Sequence, residues 1–496
     1  MNPDQMDELL QAFARDPKQV MNRPLPKEDW APQERKGVPA LFSAEDRAGN
    51  AFVENRDSYR KKLSMETDGQ LIRLEQVLPG RAPFANNDRV ENLVDGPASD
   101  LLRTLEAMEA RSLRQAKLDE SPWSDWYWPI YQGILGCRYA DPDFPLNSED
   151  WKVKRDYVLQ RPAADIVRSG NQEAINRLSP SEKYELIIGD ANGTLTQQMW
   201  AEGEWYYKQS GKVERWMGIC HGWAPVSYML PRPRTAVKVL AADGRTTVLL
   251  YPSDLKALGS LLWAKGSPPV RFIGGRCNDK NPTTDDNGRV RSQQCFDTNP
   301  GTFHMALVNQ IGLRRRSFII DATFDYEVWN QPVFSYEYSY FNPRTRRSAP
   351  TLDSARVLRS EMTDDRFASY RSQNCHALVG INLKLVYGME TMPTTEPTDS
   401  PRNDYLRAVS YMYDLELDAA GRIIGGEWYT NLHPDFLWTP PPGAQARSSA
   451  EQMATGNWTD DVAPESWRRA ALACARNGQV LARLVHTLIQ WSHARG

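Results

Sequence analysis

Residues 301–333 read G-T-F-H-M-A-L-V-N-Q-I-G-L-R-R-R-S-F-I-I-D-A-T-F-D-Y-E-V-W-N-Q-P-V. An apolar run opening on His304 gives way to a basic turn, and a second apolar run ends on Asp321. Runs of this length with turn residues between them predict two adjacent strands. Adjacent strands would set His304 beside Asp321, the base and its orienting carboxylate in a thiol or hydroxyl acyl-transfer triad. Asp325 competes for the orienting role from the same strand face, further from the register of His304.

The nucleophile that such a pair needs lies upstream. In W-M-G-I-C-H-G-W, residues 216–223, Cys220 precedes G-W-A-P-V-S-Y-M-L. Pro225 fits the first turn of a helix, where its missing N–H costs nothing, so the helix is expected to begin near Gly222 with Cys220 at its mouth. A helix N-terminus favours a thiolate through its dipole. His221 is a poor base for Cys220, because neighbouring side chains on a helix do not face each other. His304 is the better one. The plainer reading of each residue stands beside this: a cysteine before a helix is commonly a small buried hydrophobe, and a strand histidine commonly a satisfied core residue. His376, in C-H-A-L-V-G, offers a papain-type spacing from Cys220 but lacks the flanking signatures of that group and reads as structural.

At 496 residues the chain exceeds one typical domain. Hydrophobic residues make up 41% and charged residues 25%, an ordinary globular balance. With 60 basic and 63 acidic residues the net charge is −3, which points to neither nucleic acid nor an anionic membrane. The basic clusters 314–316 and 344–347 read as solvated turns. Sixteen tryptophans and thirty-four prolines suggest aromatic clefts and many loops. No stretch reaches the ~20 apolar residues of a membrane span. The first ten residues, M-N-P-D-Q-M-D-E-L-L, lack a secretory pattern. Three localisations follow: the cytoplasm, export after removal of a leader, or export by a route that needs none.

The fold class expected is α+β, with helices first and a run of strands after. Helices are expected at 3–15, 99–118, 179–190 and 252–265, and one long helix at 464–494. A hairpin over 237–251 turns at Asp243-Gly244. Further strands are expected at 270–274, 303–310, 317–324, 333–340, 377–387, 407–417 and 422–429. Residues 1–118 form a partly helical extension, a propeptide or delivery segment; 119–440 the catalytic domain; 441–496 a linker and helix. The aromatic burst P-W-S-D-W-Y-W-P-I-Y, residues 122–131, reads as packing that lines a cleft. Six cysteines do not make a disulfide scaffold, and Cys277 with Cys295 either staple a polar loop or stand unpaired at strand ends. Asp279, Asp285, Asp286 and Asn287 in that loop carry oxygen ligands without the EF-hand spacing, and read as a solvated turn.

Together, W-M-G-I-C-H-G-W, the His304 and Asp321 runs, and V-W-N-Q-P-V at 328–333 resemble the transglutaminase elicitor family. Its members are cell-wall glycoprotein elicitors of Phytophthora and bacterial relatives. The resemblance extends to S-E-K-Y-E-L-I-I-G-D (181–190) and I-I-G-G-E-W (423–428), spanning about residues 120–440. It implies a papain-like transglutaminase core, a helix carrying Cys220 and an antiparallel sheet carrying His304 and Asp321, between helical extensions. Cys220 would attack the γ-carboxamide of a protein glutamine, His304 would shuttle protons, and Asp321 would orient it. A lysine or other amine would then capture the thioester as an isopeptide. Trp216, Trp223 and Trp329 are the expected substrate contacts. The alternatives are a glutamine deamidase, a papain-like cysteine peptidase, or a non-enzymatic elicitor that uses 328–333 as its contact surface. No cofactor is required; some family members are calcium-dependent, and Asp279, Asp285 and Asp286 are the residues that would serve. Expected partners are protein substrates, not nucleic acid or membrane. After Val333, F-S-Y-E-Y replaces the basic, glycine-containing continuation of the family's plant-recognised peptide.

Overall fold

The structure, a computed structural model, describes residues 3–16, 19–20, 88–275, 296–322, 328–430 and 433–494. Its strands are β1 (Gln115–Lys117), β2 (Val237–Leu240), β3 (Thr247–Leu250), β4 (Arg271–Gly274), β5 (Ile319–Asp321), β6 (Asn330–Asn342), β7 (Arg347–Ala349), β8 (Val357–Leu358), β9 (Ala377–Met389), β10 (Tyr405–Leu417), β11 (Ile423–Trp428) and β12 (Phe436–Thr439). All but the β2–β3 hairpin join one antiparallel sheet in the order β11-β10-β9-β6-β5-β12-β4, with β1 and β7 on β6 and β8 on β9. In β6 the side chains of Tyr336, Tyr338 and Tyr340 are buried, while Ser335, Glu337 and Ser339 between them are partly or fully exposed. That two-residue period fixes which side of β6 faces the interior.

The short strands divide two cores by the same alternation. Phe272 of β4, Ile319 of β5, and Phe436 and Trp438 of β12 pack into a helical core. Ile273, Ile320 and Leu437, one residue along each strand, pack into a second core on the other face. The helical core contains the Cys220–Met229, Pro252–Lys265 and Ala482–Ala494 helices. The second holds the Pro300–Leu307 helix and the tyrosines of β6, β9 and β10. Segments at both ends of the sequence share these cores. Val90, Leu93, Leu105 and Met108 lie in the second, and Leu481, Leu484 and Leu488 in the first. The Pro3–Arg15 helix seats Leu10 and Phe13 against Phe341, Phe367 and Tyr429, with Phe13 stacked on Tyr429 at 4.7 Å.

Helices that begin with a cap fall where the sequence puts them. Ser179 and Glu182 close a reciprocal capping box before Pro180–Ile188, and Pro252 opens Pro252–Lys265. Three expectations are corrected. The helix expected over 99–118 is only Leu105–Ala110, ended where Ser112 adopts φ 57° and the chain turns into β1. The single C-terminal helix is two, Glu465–Ala475 and Ala482–Ala494, broken around Asn477-Gly478. The run expected as a strand at 303–310 is helical. Asn299 caps Pro300–Leu307 by accepting from the Gly301 N–H, and a π-helical segment, Val308–Leu313, continues it. The long Thr194–Ser210 helix, which the sequence pattern did not signal, packs beside the capped Pro180–Ile188 helix. Among the described residues no helix is long and apolar enough to cross a membrane.

Candidate active site

Cys220 is placed by the aromatic burst that precedes it in sequence. The Ile219 N–H donates to the Tyr127 carbonyl at 2.8 Å, and the Ile130 N–H to the Met217 carbonyl at 2.9 Å. Gly218 lies so close under Tyr127 that a Cβ there would sit 2.4 Å from the Tyr127 carbonyl oxygen. Only glycine lets this segment approach. The chain then turns directly into the Cys220–Met229 helix, two residues earlier than the sequence suggests, with Pro225 in its interior. His221 is half-buried, its ring hydrogen-bonded to the Ala264 backbone, and desolvation lowers it to about 4.

The opposite wall comes from β5 and β6. Asp321 and Asn330 are register partners, so their side chains rise from the same sheet face. Asp321 alternates with Ile320 and shares the face of Ile319, the side of the Cys220 helix. Asn330 spans the remaining gap. Its Nδ2 lies 3.3 Å from Cys220 Sγ, and its Oδ1 accepts from Trp438 Nε1 at 2.8 Å. The Val328 carbonyl oxygen lies 3.8 Å from the sulfur. The Trp329 N–H donates to Asp321 Oδ1 at 3.0 Å, and Gln331 Nε2 to Glu390 Oε1 at 2.8 Å. Burial pushes the Cys220 thiol up to about 11; Glu390 and Asp321 add to the rise, while side-chain and backbone hydrogen bonds from Asn330 oppose it.

His304 does not join them. On a helix in the second core, it lies across the sheet from Cys220, where a strand would have carried it to Asp321. Its Nδ1 meets the Tyr413 hydroxyl at 2.8 Å, and its ring stands edge-on to Tyr338 with centroids 4.8 Å apart. Among the described residues its Nε2 has no hydrogen-bond partner. Burial alone lowers the imidazole to about 3, so it is neutral at physiological pH. The structure therefore brings Cys220 and Asp321 into one site and leaves His304 outside it. The row runs Cys–Asn–Asp.

The three tryptophans divide as well. Trp223 is fully buried, its Nε1 donating to the Trp123 carbonyl at 3.1 Å, so it is a core residue and not a substrate contact. Trp216 packs at the margin of the helical core, and Trp329 lies edge-on to Tyr127 with centroids 5.4 Å apart. The hexapeptide at 328–333 forms no contact surface: all of it but the half-buried Val328 is buried, most of it in β6. Asp325, Cys277, Cys295, Asp279, Asp285, Asp286 and Asn287 lie outside the described residues. Among the described residues no three His, Cys, Asp or Glu side chains stand together to hold a metal ion.

Sequence reading missed Asn330, Trp438 and Glu390. Two consecutive amides, Asn330 and Gln331, inside a strand-like run were the available signal, since buried amides require partners.

A helix that opens on a cysteine packs on an antiparallel sheet, with Asp321 and Asn330 on the facing strands. The family model for transglutaminase elicitors matches residues 100–455, and the chain belongs to that family. Among solved structures, the GP42 transglutaminase from Phytophthora sojae has a similar fold, with a TM-score of 0.51 and 21% identity, covering 80% of this chain and 95% of that one. No curated protein matches.

Proposed function

We propose that this chain is a protein-glutamine γ-glutamyltransferase with a papain-like catalytic core, acting through a Cys220 thioester. The observation that carries the reading is the sulfur at a helix N-terminus, hydrogen-bonded to Asn330, with Asp321 on the same wall. Membership of the transglutaminase elicitor family supports it. Asp321 takes the proton-transfer role that the sequence alone assigns to His304.

In the first half-reaction the thiol proton passes through a bridging water to the Asp321 carboxylate as sulfur bonds to the γ-carbon of a protein glutamine. The C–N bond breaks, and the nitrogen leaves as ammonia with the proton held on Asp321. In the second, a lysine amine attacks the thioester, gives up a proton to Asp321, and expels the sulfur, leaving an isopeptide. The partial positive charge at the helix N-terminus stabilises the sulfur whenever it is anionic.

The test is incorporation of a fluorescent amine into a glutamine-donor protein, followed by mass spectrometry of the product. Label with wild type and none with Cys220→Ala is expected, and the modified residue should be an amide-linked glutamine. Equal label from Cys220→Ala would overturn the reading. A deamidated glutamine or a cleaved peptide in place of the amide would make water, not the amine, the acceptor.

A further inference from the structure

We infer that Asn330 is a positioning residue for the nucleophile, an amide locked by Trp438 so that its N–H groups face the Cys220 sulfur. The inference rests on Cys220 being the nucleophile.

An asparagine amide has two chemically different ends and could be turned either way. Trp438 removes the choice. Its indole nitrogen is a donor only, and it lies 2.8 Å from one amide atom of Asn330, which must therefore be the oxygen. The NH₂ end is then left to face Cys220 Sγ at 3.3 Å. The backbone N–H of Asn330 also donates to the same sulfur. Two donors from one residue thus converge on one atom. Donors aimed at an atom that becomes anionic stabilise the anion more than the neutral form.

The lock is built of buried parts. Asn330 is 3% exposed and Trp438 2%. Asn330 is pinned in the sheet opposite Asp321, and Trp438 sits on β12, which pairs with β5. Neither side chain has room to reorient in a close-packed interior. An amide neither gives up nor accepts a proton at ordinary pH, so Asn330 cannot replace the missing imidazole as a base. It holds the sulfur in place and lowers the cost of its ionisation.

The experiment is iodoacetamide alkylation of full-length protein across a pH series, with modification of Cys220 read by peptide mass spectrometry. Asn330→Asp keeps the shape and an acceptor for Trp438 but places negative charge beside the sulfur. Its Cys220 profile is expected to move up by about one pH unit, slowing alkylation at neutral pH about tenfold. Trp438→Phe frees the amide to turn, and about a threefold slowing is expected. A natively melting Asn330→Asp protein with the wild-type profile overturns the inference. If that variant does not fold, Trp438→Phe decides alone, and an unshifted profile overturns it. Alkylation needs no turnover, so the two readings fail separately. A shifted profile in a protein that incorporates no amine removes the transferase and leaves the Asn330 assignment. Amine incorporation with unshifted profiles does the reverse.

Discussion

Asp321 and Asn330 face each other across β5 and β6 as direct register partners, and Asn330 reaches on to the Cys220 sulfur. The carboxylate is thus one side chain removed from the thiol, with an amide where an imidazole would complete a conventional triad. Among the described residues, the charge near the sulfur is negative, from Asp321 and Glu390, and the Asn330 donors oppose its effect.

The first consequence is a Cys220 sulfur that rests as the protonated thiol. With burial raising the Cys220 thiol to about 11, its alkylation by iodoacetamide should climb about tenfold per pH unit from neutrality upward, without levelling before pH 10. A rate already levelling between about pH 9 and pH 10, as for an unperturbed thiol, would show that the sulfur is not in this environment.

His304 gives a prediction of the opposite sign. Unfolded, its ring protonates near its ordinary value of 6.5; folded, it stays neutral down to about 3. Below pH 6.5 the unfolded chain therefore binds the extra proton, and stability falls as acid is added. His304→Gln keeps a partner for the Tyr413 hydroxyl and removes the titration. Its stability relative to wild type should improve between pH 7 and pH 4 in urea melts. Its Cys220 alkylation profile should match wild type, and a displaced profile would return the ring to the site.

Glu185 titrates in a different window. Burial raises its carboxyl to about 8, against hydrogen bonds from Thr196. Because the folded value lies above the ordinary one of 4.5, stability is present at low pH and lost as pH rises toward 8. Glu185→Gln imitates the protonated group. Urea melts should show its stability relative to wild type rising from pH 5 to pH 8 and level beyond. A difference that does not vary with pH would place Glu185 in water.

Gly222 sets the depth at which the nucleophile helix seats. A Cβ there would lie 2.1 Å from the Ser260 carbonyl oxygen and 2.7 Å from Ala264 Cβ, on the Pro252–Lys265 helix. Gly222→Ala should cost about 1–3 kcal/mol in denaturant unfolding, as helix must part from helix. It should also slow amine incorporation by tilting Cys220 from Asn330. An unchanged unfolding midpoint would mean the two helices separate freely.

Local chemistry made parts of this legible in the sequence. The caps at Ser179 and Pro252 and the Asp243-Gly244 turn act within a few residues, and their elements appear where expected. Cys220 at a helix mouth followed from the same kind of signal. The His304 run misled because F-H-M-A-L-V is apolar on every side: a fully buried helix and a buried strand present the same string. The Asn299-Pro300 start signal before it was the arbiter. The amide contact could not be seen at all. Asn330 meets Cys220 110 positions away and Trp438 108 positions away, through strand pairing that no local pattern encodes.

β12 enters the sheet between β4 and β5, strands that precede it by more than a hundred residues. A chain emerging from the ribosome completes the nucleophile helix and its facing strands well before Trp438 has been made. Until then nothing fixes the orientation of the Asn330 amide, and that gap between β4 and β5 waits for a late arrival. Contacts so distant in sequence form slowly. The order of synthesis thus makes the contact between Trp438 and Asn330 one of the last that this sheet can complete.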